Sequence, residues 1–293
     1  MVLSKIAAAL IRLLARLPMR VLHRIASFLA FLMIYVIRYR RKVIMGNLQN
    51  AFPEKSEREL ASIARSFYRH LADVVVETIK LNTIREDDFL RRCSITEEGT
   101  VILQNYYDRG ENITGLLGHF GNWEWVPAVV SLNFPYLVAP AYKPLSNKVF
   151  DKLVLETRSR YAHELIPKAR VSRAVLKYIR GGKPFVLGLI ADQAPRPETA
   201  YWTQFLSQKT PVYSGPEKLA RSLNTPVVFV ALRRKKRGHY ILHVEKLADR
   251  PGDLEEGELS ARFMALLEKE IMADPGSWLW SHRRWKYKNR KKQ

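Results

Sequence analysis

Residues 113–127, ITGLLGHFGNWEWVP, pass from an apolar run through glycines and a lone histidine into a helix start. ITGLLG reads as a buried strand, since apolar residues continue without a polar break. Gly121-Asn122 is a turn signal, and Asn122 is a good N-cap for a helix over WEWVPAVVSL, residues 123–132. This strand–turn–helix corner recurs along the chain. YLVAPAY (136–142), PFVLGLIAD (184–192), TPVVFVALR (225–233) and YILHVEKL (240–247) read as further strands. Helical patterns cover 145–161, 171–180 (ended by Gly181-Gly182), 216–223 and 255–272. Ser56 and Glu59 in SEREL have capping-box spacing, which starts a helix reaching about Leu81. The alternation predicts an α/β fold with a mostly parallel or mixed central sheet flanked by helices.

Composition bounds the partners. The chain has 293 residues, 47% of them hydrophobic, and a net charge of +21. A charge that large calls for anionic partners such as nucleic acid, an anionic membrane or an acidic protein. Cys93 is the only cysteine, so an intramolecular disulfide and multi-cysteine zinc sites are excluded.

No acidic residue occurs in residues 1–37, and ASFLAFLMIYVI, residues 26–37, carries no charge. Lys5, Arg12, Arg16, Arg20, His23 and Arg24 interrupt the earlier part, and RYRRK, residues 38–42, follows. No small-residue cleavage site follows the run, which argues against a signal peptide. Two readings remain: a short span with Arg24 and His23 snorkelling outward, or a basic amphipathic helix lying among headgroups. Either makes residues 1–42 a membrane anchor, and basic residues on both sides of the run fit an anionic cytoplasmic leaflet.

His119 and Glu124 are the chemistry-bearing pair of the corner. Five positions on one regular helix differ by about 140° of rotation, so they meet only across a strand-to-helix turn. There, a neutral imidazole accepts a proton from an alcohol while a carboxylate on its other nitrogen fixes the tautomer. Helix N-terminal N–H groups favour an anion, and ligand sites in α/β sheets lie beyond strand carboxyl ends. The bland alternative is a turn histidine beside an ordinary first-turn acid. A serine-hydrolase reading lacks a GxSxG elbow. A metal reading lacks an HExxH pattern, and two ligands do not make a site.

HFGNWE resembles the H-x₄-D/E motif of the lysophospholipid acyltransferase superfamily. Three further stretches resemble the bacterial lipid A biosynthesis acyltransferase family: NLQNAFPEKSERE (47–59), IADQAPRP (190–197) and WLWSHRRWKYK (278–288). The resemblance implies an acyltransferase domain over residues 43–293. It would move a fatty acyl chain from an acyl carrier protein thioester to a hydroxyl of a phosphorylated lipid A precursor. Its place would be the cytoplasmic face of the inner membrane. His119 is then the general base and Glu124 orients it, with Gly121 and Asn122 supporting the turn. The family's later acid falls on Asp192, beside Gln193. Its arginine falls on Arg158 or Arg160, with Arg158 preferred. No metal or other cofactor is implied.

The terminal cluster of Arg283, Arg284, Lys286, Lys288, Arg290, Lys291 and Lys292, with Trp278, Trp280, Trp285 and Tyr287, suits anionic headgroups at a membrane interface. His282, Arg283 and Arg284 are its candidate phosphate contacts, against a packing or capping role for His282 and a solvated tail with no role for the cluster. A nucleic-acid tail would share the charge, but no familiar nucleic-acid motif occurs. His23, His70, His163, His239 and His243 have no suggestive partner in the sequence. The long segment 194–211 reads either as a loop bordering an acyl or lipid groove or as a surface excursion anchored by Trp202. Two other functions compete: an acyltransferase of the same superfamily acting on a glycerolipid or aminolipid, and a non-catalytic basic protein bound to membrane or nucleic acid.

Overall fold

The computed structural model describes residues 2–196, 198 and 200–287. Lys288, Arg290, Lys291 and Lys292 of the terminal cluster, and Pro197 of the IADQAPRP stretch, lie outside them.

Four helices open the chain: α1 (Val2–Ala15), α2 (Met19–Phe31), α3 (Arg41–Ala51) and α4 (Glu57–Lys80). Pro18 separates the first two, because it has no N–H to continue a helix. A π-helical turn, Leu32–Val36, extends α2. Met19–Val36 is long and apolar enough to cross a membrane. One face of it is packed instead on protein. Leu22, Ala26 and Ala30 are buried with Ala72 and Val76 of α4, and the alanines let the helices approach closely. The capping box that starts α4 is complete: Glu59 N–H donates to Ser56 Oγ, and Ser56 N–H donates to Glu59 Oε2 at 2.8 Å.

The α/β body follows. Helix α5 (Glu86–Arg92), strand β1 (Cys93–Ile95) and α6 (Glu97–Asp108) lead into β2 (Ile113–Gly121), the strand read from ITGLLG. Then come α7 (Val126–Asn133), β3 (Leu137–Tyr142), α8 (Lys148–Ser159), β4 (Ile166–Pro167), α9 (Val171–Gly181) and β5 (Phe185–Ile190). A hairpin of β6 (Ala200–Phe205) and β7 (Gln208–Tyr213) precedes α10 (Gly215–Leu223), β8 (Val227–Lys236), β9 (His239–Ala248) and α11 (Glu258–Ala273).

One seven-stranded sheet has the order β1-β9-β8-β2-β5-β3-β4. It is mixed: β2 pairs parallel with both β5 and β8, whereas β8 and β9 pair antiparallel. Neighbouring residues of a strand face opposite sides, and each side has its own core. Leu116, Leu187 and Phe229 pack into the cluster that includes α4, α9 and α11. Leu117, Val186 and Val228 pack into the other, with α5, α6 and α7. Central strands covered on both faces explain the unbroken apolar runs.

Three features depart from the sequence reading. Segment 194–211 is not an open loop, since most of it forms the β6–β7 hairpin. Helices α3, α5 and α6 and strands β1 and β4 are additional; β1 and β4 are too short to show an alternation. Asn122 makes no side-chain cap, and a 3₁₀ turn, Trp123–Trp125, precedes α7.

Candidate active site

The site lies at the carboxyl end of β2. Gly121 makes the exit from the strand possible. It has φ +58°, and a Cβ there would stand 1.8 Å from the Leu232 carbonyl oxygen. The β2–β8 register shifts just before it, between Leu117 and Gly121, so the backbone bulges and re-aims the residues around His119.

His119 is held by Asp192, which follows β5, the neighbouring parallel strand. Its Nδ1 is 2.6 Å from Asp192 Oδ1, and its backbone N–H donates to Oδ2 at 2.7 Å. Trp278 Nε1 donates to the same Oδ2 at 2.9 Å. With Asp192 ionised, Nδ1 carries the proton, and Nε2 is left with a lone pair. Among the described residues, Nε2 is met only by the Gln193 side-chain nitrogen, at 3.4 Å. The His119 side chain keeps 14% exposure against 2% for Asp192, so what the ring exposes lies away from the Asp192 contact. The Trp123 ring stands edge-on to the imidazole, 5.2 Å between centroids.

The charges support this arrangement. Burial alone would raise the Asp192 pKa, but the charge and hydrogen bonds of His119, with Trp278, bring it down to about 2. Burial likewise opposes charge on His119, yet the Asp192 carboxylate outweighs it and raises the imidazole pKa above its usual value.

Glu124 does not hold the imidazole, which corrects the reading that it orients His119. It forms a two-pronged ion pair with Arg158 at the end of α8: Nε donates to Oε2 at 2.9 Å and Nη2 to Oε1 at 2.6 Å. The reason is direction: the turn after Gly121 sends Glu124 towards α8, while β5 delivers a carboxylate beneath the ring. Of the two candidate arginines, Arg158 is therefore the one that meets Glu124. Arg160 donates to the carbonyls of Leu81 at 2.7 Å and Ile84 at 2.6 Å, tying α8 to the segment after α4.

Asn122 has a buried structural role. It donates to Glu77 Oε2 at 2.7 Å, as does the Tyr240 hydroxyl, also at 2.7 Å. Trp125 Nε1 donates to the Glu77 carbonyl at 3.1 Å, and His23 Nε2 lies 2.9 Å from Glu77 Oε1. Glu77, fully buried on α4, thus clamps the turn carrying Glu124 at both ends and reaches α2. His70, one of the unassigned histidines, bonds the Gly121 carbonyl at 3.0 Å. Glu77, His70 and Tyr240 were not legible as neighbours of the turn, because nothing in their local sequence marks them.

The C-terminal motif folds into the same region. Phe120 bridges Trp278 antiparallel, and Leu279 N–H donates to the His119 carbonyl at 3.1 Å. Trp278, Trp280 and Trp285 are buried at 2%, 0% and 8% exposure, so they do not face headgroups. They form an aromatic cluster with Phe205 of the hairpin. Arg284 is also fully buried and so is not a surface phosphate contact. Burial lowers its pKa to about 10, against the favourable charge of Asp192. His282 accepts the Ala194 N–H at its Nε2, 3.3 Å away, and burial lowers its pKa to about 4. Only Arg283 of the three is exposed.

An imidazole braced by a buried carboxylate, its outer nitrogen open, suits an enzyme that takes a proton from a hydroxyl. Residues 2–287 match the family model described as bacterial lipid A biosynthesis acyltransferase. The chain belongs to that family and is an acyltransferase. A lipid A biosynthesis acyltransferase of Haemophilus influenzae is 25% identical over 84% of this chain and 78% of its own length. The lipid A biosynthesis palmitoleoyltransferase of Escherichia coli is 26% identical over 85% of this chain and 80% of its own. The Escherichia coli lauroyltransferase is 23% identical over 94% and 88%.

Proposed function

We propose that the chain acylates a hydroxyl of a phosphorylated lipid A precursor, using an acyl carrier protein thioester as donor, at the cytoplasmic face of the inner membrane. The observation that carries the chemistry is the His119–Asp192 pair with Nε2 open. His119 Nε2 takes the proton of the acceptor hydroxyl as its oxygen attacks the thioester carbonyl. Asp192 stabilises the imidazolium, worth about 10²–10⁴-fold as general-base assistance. The thiolate then leaves and takes that proton, which restores the neutral ring. Arg158, fixed by Glu124, retains Nη1 for a substrate oxygen.

The family match supports the lipid A assignment. Palmitoleoyl and lauroyl transferases match at similar identity, so resemblance does not select a chain length. Membrane association is supported by the N-terminal helices. Ile6, Leu10, Leu13, Phe28 and Phe31 are more than half exposed, beside Arg16, Arg20 and Arg24. With α2 fastened along α4, this is the make-up of a helix lying in the interface.

Mass spectrometry of lipid A tests the assignment, comparing a deletion strain with strains complemented by wild type or His119→Ala. Loss of one acyl chain that only wild type restores supports it. Unchanged lipid A with altered glycerolipids or aminolipids would redirect the acceptor assignment.

A further inference from the structure

Away from the dyad, one concave surface gathers positive charge with no counter-charge. A cavity of about 350 Å³ opens between the start of α3 and the C-terminal segment. Lys42 lies on one wall, Arg283 and Lys286 on the other, and among the described residues no acid lines it. All three cations are exposed, and among the described residues none makes an ion pair. The floor is open at Gly46, where nothing lies within 4 Å of the place a Cβ would occupy.

The walls are firmly built. Asn47, itself in the lining, donates from Nδ2 to the carbonyls of Trp280 and His282, both at 2.8 Å. Arg40 donates to the Ser281 carbonyl at 2.9 Å. Trp285 anchors the far side through Nε1 to Thr210 Oγ1 at 2.7 Å. Three exposed like charges around one concavity, with no acid beside them among the described residues, make a positive surface that favours an anion. The chain enters α3 directly from the apolar surface of Phe31, Tyr35, Val36 and Ile37, all more than half exposed. A membrane on that surface would bring lipid phosphates near Lys42, which follows Ile37 closely in the chain.

The geometry points to a receptor for a lipid-borne phosphate group, held by Lys42, Arg283 and Lys286. Its position relative to the bilayer rests on the membrane reading above. A bilayer phospholipid and the phosphorylated acceptor offer the same chemistry, and the test separates them.

The triple variant K42Q/R283Q/K286Q is compared with R173Q/K177Q/R180Q, an equal loss of charge on the exposed face of α9. Flotation with phosphatidylcholine vesicles, with and without phosphatidylglycerol, measures lipid affinity. KM for the phosphorylated acceptor measures substrate binding, and thermal melts check folding. Each basic side chain at an anionic surface is worth roughly fivefold in affinity. A loss of about tenfold or more on phosphatidylglycerol vesicles, absent in the α9 variant, assigns the cavity to bilayer phospholipid. An equally large rise in KM with kcat retained, and vesicle affinity equal to that of the α9 variant, assigns it to the acceptor phosphate. A triple variant that matches the α9 variant in both overturns the proposal. Wild type that floats with neither vesicle overturns the membrane reading, and the KM comparison then decides the cavity alone.

Discussion

Asp192 grips His119 twice, through the ring Nδ1 at 2.6 Å and the backbone N–H at 2.7 Å. One carboxylate therefore fixes the tautomer, the ring plane and the strand beneath it. The double grip makes the side chain of residue 192, rather than of residue 124, the determinant of how His119 is presented.

Replacing Asp192 with Asn keeps the shape but removes the charge and offers Nδ1 a donor where an acceptor is needed. We expect kcat to fall by roughly 10³-fold or more, in line with loss of a correctly oriented general base. Glu124→Gln leaves Asp192 on the ring and is expected to cost less. Steady-state kinetics on the two purified variants checks the order, and a larger loss in Glu124→Gln would overturn it.

The pH dependence follows from the direction of the His119 shift. The base works unprotonated, and its pKa is raised by Asp192 against the opposing effect of burial. Activity should therefore rise with pH, with a midpoint above the ordinary histidine value of about 6.5. In stability, a raised histidine pKa favours the fold below the unfolded-state value, and the benefit is lost as pH rises through the folded value. The depressed Asp192 pKa, about 2, contributes stability above the usual carboxylate range that is lost as pH falls towards it. A kcat/KM–pH profile measures the first effect. A midpoint below 6.5 would contradict it.

Arg158 and Arg160 should separate cleanly. Arg160→Lys cannot serve the Leu81 and Ile84 carbonyls as a fixed fork does. It should lower stability by about 1–2 kcal/mol with kcat largely kept. Arg158→Lys loses the two-pronged pairing with Glu124 and should lower kcat/KM with less effect on melting. Parallel melts and kinetics would expose a reversal.

Glu77→Ala removes the acceptor shared by Asn122 and Tyr240 and the partner of His23. Leaving the buried Asn122 and Tyr240 and the partly buried His23 unpaired should cost about 3 kcal/mol or more, read by chemical denaturation. Glu77→Gln preserves the volume and should recover part of it.

Much of this protein was legible along the chain because the responsible forces are local. The capping box of Ser56 and Glu59 and the glycine stop of α9, where Gly182 takes φ +69°, depend on residues a few positions apart. Unbroken runs such as FVLGLI announced a sheet covered on both faces, and the Gly121 turn placed His119 at a strand end.

Which groups meet His119 was decided only by tertiary structure. Glu124 is five residues away, but the turn carries it to Arg158. Asp192 lies 73 positions away and arrives because β5 pairs parallel beside β2, bringing both carboxyl ends to one edge. The same long-range packing buries Trp278 and Arg284, which as a string look like a membrane-facing basic tail, and puts Glu77 under the turn. Periodicity records whether a residue is covered, since burial depends on which face it occupies. It does not record what covers it, because strand order and helix packing set that partner at distances the local pattern does not encode.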